Sequence, residues 1–175
     1  MADMSPAEVV GLHLGFVDPQ LLTLIGQVVM LGALIEDRTA AIAMSVANGD
    51  QNDYSRASFQ RNLEVCGRRF PLFTDTDFQR ETTALADRAL RWAGEVLNER
   101  HEIVHRVRAR PSGETWGGHK GVRPRTSDRT GKMTVPPRWA DYSSEDLEGL
   151  IRRMGEVVDA LQSAVGRITA FPRMP

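Results

Sequence analysis

Apolar positions recur along most of the chain at helical spacing, and four runs of that pattern stand out. In the first, Leu22, Ile25, Val29, Leu31, Leu34, Ile35, Ile42 and Val46 follow Asp18-Pro19, an N-cap carboxylate with proline at the first helical position. Asn48-Gly49-Asp50 closes this run, which predicts a helix over 18–48. A shorter helix is expected over 55–69, stopped by Phe70-Pro71. A third begins near Thr74-Asp75-Thr76-Asp77 and is predicted over 76–108. Its apolar line is Leu85, Ala89, Trp92, Ala93, Val96, Ile103, Val104 and Val107. The last is predicted over 144–170, with Ser143 as N-cap and Asp146 three residues on. It continues through Leu147, Leu150, Ile151, Met154, Val158, Leu161, Val165 and Ile168. The pattern contains no internal repeat.

These elements predict an all-α fold, a four-helix bundle with a long irregular or β-hairpin insertion before the last helix. A length of 175 residues suits one domain over 1–175, and 41% hydrophobic residues can fill its core. The single cysteine, Cys66, excludes an internal disulfide and a cysteine-based zinc site, and its helical setting predicts a buried, inert thiol. The N-terminal residues lack a basic region followed by an apolar run and a small-residue cleavage site. The most apolar stretch, Leu21 to Leu34, is interrupted by Thr23, Gln27 and two glycines and then meets Glu36-Asp37-Arg38. It reads as a core helix too short to span a bilayer, so the expectation is a cytoplasmic protein with no membrane partner.

Charge changes the picture in one place. Residues 106–138 hold nine Lys/Arg against two acids, a local +7 in a chain of net charge -1, so the remaining residues carry -8. The stretch contains Pro111, Gly113, Gly117-Gly118, Gly121, Pro124, Gly131 and Pro136-Pro137, which excludes a continuous helix. The basic loop 106–142 is either a solvated linker or a phosphate-binding arm. In the second case Arg106, Arg108, Arg110, Lys120, Arg123 and Arg125 would hold an RNA backbone, with Trp116 available to stack on a base.

Beside this loop lies Glu99-Arg100-His101-Glu102-Ile103-Val104-His105-Arg106, which supports two chemistries. His101-Glu102-Ile103-Val104-His105 matches H-E-x-x-H, in which two histidines on one helical face share zinc and the glutamate activates a bound water. The charged flanks Glu99, Arg100 and Arg106 are unlike those of a buried zinc helix, and a third ligand, such as His119, would have to come from the basic loop. The other chemistry pairs Arg100 with His105. Arg100 lies four residues from both Val96 and Val104, on the apolar stripe, where a charge is costly. Five helical residues rotate by about 140° and rise about 7.5 Å, within the reach of an arginine. A neutral histidine can take a proton from a ribose 2′-hydroxyl near pH 7. A guanidinium can stabilise the phosphorane formed when that oxygen attacks the adjacent phosphate, with no metal or other cofactor.

The Arg100–His105 pair, late in a long helix of a four-helix domain, resembles the signature of the HEPN family (higher eukaryotes and prokaryotes nucleotide-binding). The R-x4–6-H motif of that family marks metal-independent endoribonucleases, many of them toxins or phage-defence proteins that act as dimers. The resemblance covers most of the chain, through a long first helix, the motif, a variable loop and a closing helix. It implies Arg100 and His105 as catalytic residues, with His101, Glu102 and Glu36 in support, RNA as substrate, a homodimer and a possible antitoxin protein. His101 stands where the family commonly has another polar residue, often asparagine. Two other readings use the same residues. Arg100 is an ion-pair partner of Glu36 or Asp37, with His105 at the helix end meeting its dipole, or the domain is a non-catalytic nucleotide- or RNA-binding or dimerisation module.

Overall fold

The computed structural model describes residues 19–49, 51–108, 116–120 and 138–171. The chain is mostly helical. Its elements are α1 (Pro19–Ala47), α2 (Gln51–Ser55), α3 (Phe59–Arg69), a 3-10 turn (Phe70–Leu72), α4 (Asp77–Arg106), β1 (Val107–Arg108), β2 (Trp116–Lys120), β3 (Arg138–Tyr142) and α5 (Ser144–Ile168).

Local chemistry explains where the helices stop and start. At the end of α1, Asn48 takes the left-handed conformation (φ 54°), and the Gly49 N–H donates to the Met44 carbonyl at 3.3 Å. This six-to-one bond satisfies a carbonyl that the helix end leaves open. The expected helix over 55–69 is two pieces. Ser58, not Ser55, caps α3, accepting from the Arg61 N–H at 3.2 Å, and residues 51–55 form the separate turn of α2. Helix α4 opens with a reciprocal box. The Thr76 hydroxyl accepts from the Gln79 N–H at 3.1 Å, and the Gln79 side chain accepts from the Thr76 N–H at 3.2 Å. Ser143 and Asp146 form the same kind of box on α5, at 3.1 and 2.8 Å. The expected end of the third helix at 108 is corrected to Arg106, because Val107 and Arg108 leave the helix and pair with Gly118 and Gly117.

The chain divides into two compact units, Met1–Val29 with Asn98–Leu150, and Met30–Leu97 with Ile151–Pro175. In the first, Leu21, Leu24, Val28, Ile103, Leu147 and Leu150 are buried, and β1, β2 and β3 form an antiparallel sheet in that order. In the second, Ile35, Ile42, Val46, Cys66, Phe70, Phe73, Leu90, Val96, Met154, Val157 and Leu161 are buried. Asn62, also buried, donates from Nδ2 to the Tyr54 carbonyl at 3.0 Å and so ties the end of α2 to α3.

Helix α1 is amphipathic rather than surrounded. Leu21, Leu24, Val28, Ile35 and Ile42 are buried, whereas Leu22, Val29, Met30 and Leu34 are exposed. Helix α1 runs past Glu36-Asp37-Arg38 and is 29 residues long, close to the predicted 18–48. An 18-residue window averages a mean hydropathy of 1.5, with 28% of it buried, so by length and composition alone the helix could cross a membrane.

Burial pushes the Cys66 thiol up from 9.0 to about 12. A thiol raised on folding contributes stability that is complete below its unfolded value and is lost as pH rises through the folded one. Denaturant titrations at pH 9 and above should therefore show the parent losing up to about 1.4 kcal/mol per pH unit more than Cys66→Ala. Parallel losses in the two proteins would show that this thiol does not titrate on unfolding.

Candidate active site

The last two turns of α4 carry the motif. The buried line of this helix runs through Ala86, Ala89, Ala93 and Val96 and resumes at Ile103, which is 1% exposed. Arg100 occupies the gap, one helical turn from each neighbour, and is half-buried. Its Nε is withdrawn from solvent, as is Oε2 of Glu102, which is itself half-buried. His101 and Glu99 are exposed. All four residues take part in non-covalent interactions.

The helix backbone carries His105 one turn beyond His101 and ends one residue later. The side chain of His105 lies outside the described residues, as do those of Arg106, Arg108 and Lys120, the whole of Arg110, Arg123 and Arg125, and the capping role read for Asp18. Glu36 is exposed on α1 in the second unit, whereas Arg100, His101, Glu102 and the His105 backbone belong to the first. Among the described residues no group of three or more His, Cys, Asp or Glu is placed to hold a metal ion.

Leaving α4, the chain enters the sheet within two residues of His105. In that sheet β2 and β3 pair through Trp116 with Tyr142, Gly117 with Asp141, Gly118 with Ala140, His119 with Trp139, and Lys120 with Arg138. The last pair places two cations at directly opposed positions. Arg138 counted in the basic charge of the segment but carried no assigned role in the sequence reading. Only the strand register sets it opposite Lys120. Compared with family models, curated proteins and solved structures, the chain matches none of them.

The position of Arg100 separates a structural arginine from one kept for another purpose. If Arg100 is chiefly a buried ion-pair partner, Arg100→Met should cost about 3–5 kcal/mol through the carboxylate left behind. If it occupies a core position at an energetic cost, the same change should alter stability by less than about 1 kcal/mol, since methionine continues the apolar line. Thermal and denaturant unfolding of Arg100→Met distinguish the two.

Proposed function

We propose that this chain is a HEPN-like, metal-independent endoribonuclease of the toxin or phage-defence type, folded as a four-helix bundle with the basic loop as an insertion before its last helix. One observation carries the reading: a guanidinium drawn into the buried line of α4, nearly two turns before a helix end that leads straight into a basic sheet. A charge is retained at such a position at the expense of packing, which fits a group needed for transition-state charge rather than for the core.

In this mechanism His105 removes the proton from a ribose 2′-hydroxyl. The freed oxygen attacks the adjacent phosphorus, the P–O5′ bond breaks, and the 5′-oxygen leaves with a proton. Arg100 stabilises the negative charge on the non-bridging oxygens as the phosphorane forms. His101, Glu102 and Glu36 are assigned a supporting role. Arg106, Arg108, Arg110, Lys120, Arg123 and Arg125, joined by Arg138, hold the phosphates on either side of the cut. The reaction calls for no cofactor, and the protein is proposed to act in the cytoplasm under the control of an antitoxin protein.

Because the nucleophile belongs to the substrate, the products should carry 2′,3′-cyclic phosphate and 5′-hydroxyl ends, and cleavage should be unchanged in EDTA. End-group analysis by mass spectrometry decides this. Products with 5′-phosphate ends, or loss of cutting with chelator, would refute the mechanism and favour metal-assisted hydrolysis through His101-Glu102-x-x-His105.

We further propose that the active form is a symmetric dimer, which the exposed apolar side chains of α1 support. Light scattering at tens of micromolar should then give twice the chain mass. Met30→Glu, which places a charge at the most exposed of these positions, should shift the population to monomer. A parent that stays monomeric would remove dimerisation from the proposal.

A further inference from the structure

A cleft distant in sequence from the motif has the makings of a second site. It lies wholly within the second unit, has a volume of about 380 Å³, and is lined by Ala47, Tyr54, Val65, Arg68, Arg69 and Leu72. That size is in the range of small-molecule sites. Its described lining sorts into an apolar part (Ala47, Val65, Leu72), an aromatic ring (Tyr54) and two adjacent guanidiniums, with no carboxylate among these described residues.

The parts are fixed from outside the cleft. Tyr54 lies so close over Gly49 that a Cβ there would collide with the end of its ring, so the ring would have to shift. The Tyr54 carbonyl accepts from the buried Asn62 and from the Ala57 N–H at 3.2 Å. Asp37, which with Tyr54 lines a neighbouring small pocket, is engaged by Arg38 at 2.7 Å. Glu64 is engaged by Arg61 at 3.5 Å, while its carbonyl takes the Nε of Arg68 at 3.3 Å. That bond orients Arg68 without using its terminal amino groups. Leu72 is an apolar side chain 50% exposed at the edge of this space.

We propose that this cleft binds a small phosphate monoester with an aromatic or apolar body, the phosphate on Arg68 and Arg69 and the body against Tyr54, Val65 and Leu72. Two guanidiniums match the charge of about -2 on a phosphate monoester better than the single charge of a carboxylate. The C-terminal end of α3 is the wrong pole for an anion, so the two arginines must supply the attraction. Inorganic phosphate would leave the apolar part unused. The site is independent of the ribonuclease reading and stands or falls without it.

The test uses the full chain with phenyl phosphate, inorganic phosphate and benzoate as probes, followed by calorimetry and by the NMR shifts of the Val65 and Leu72 methyls and the Tyr54 ring. Phenyl phosphate should bind saturably, at least tenfold more tightly than either other probe, and shift those three residues. Arg68→Gln combined with Arg69→Gln should weaken it at least tenfold while the unliganded protein melts as the parent does. Should that pair fail to fold, Leu72→Ser, a change at a half-exposed position, should weaken phenyl phosphate severalfold and leave inorganic phosphate unaffected. Equal affinity for phenyl phosphate and inorganic phosphate would reduce the cleft to an adventitious anion contact. Equal affinity for benzoate, shifts confined to the basic loop, or no binding would each overturn the proposal.

Discussion

The length of α4 imposes the constraint on which the rest of the structure depends. A helix of 30 residues must keep one stripe out of water from end to end, and Thr82, Ala86, Ala89, Ala93, Val96 and Ile103 keep it. Small side chains dominate the first part of that stripe, allowing close approach of neighbouring elements. The stripe admits one interruption, Arg100, and it admits it late, where the helix is about to give way to the sheet. Burying part of a guanidinium there is costly, and the flanking Val96 and Ile103 offset that cost by anchoring the turns on either side. The position of the cation is thus a consequence of helical periodicity, and its chemical opportunity follows from where the helix ends.

Electrostatics and architecture then act together. The chain is close to neutral overall, yet its cations gather after α4, and the strands that follow set Lys120 opposite Arg138. Under the proposed function these cations would meet the phosphates of a polyanion, which would supply the counter-charge.

Much of this was legible in the sequence. The long helices follow from apolar spacing, and their ends from particular side chains, Ser143 with Asp146 and Asn48 with Gly49. The anomaly of Arg100 was legible too, because its distance from Val96 places it on the stripe whatever the tertiary packing. Other features were not. Ser55 and Ser58 are both plausible caps three residues apart, and the choice of Ser58 rests on the Asn62–Tyr54 tie, a contact across a turn. The Thr76–Gln79 box involves a glutamine within a polar run that offers several starts. Strand register in a glycine-rich segment is set by pairing between distant residues, so the Lys120–Arg138 juxtaposition has no local signal. The Tyr54 cleft draws on α1, α2, α3 and the 3-10 turn, and only folding brings these together. The exposure of Leu22, Val29, Met30 and Leu34 was likewise hidden, because periodicity reports an apolar face without saying what covers it.

The central claim is that Arg100 and His105 form a reacting pair rather than a structural contact, and a single comparison bears on it most directly. Single-stranded RNA is incubated in EDTA with the parent and with His105→Ala, after unfolding curves have shown the two to be equally stable. The account predicts cutting by the parent and at least a hundredfold slower cutting by the variant, in keeping with the loss of a general base. Cutting by His105→Ala at the parent's rate would contradict it and would leave the end of α4 with a structural role alone.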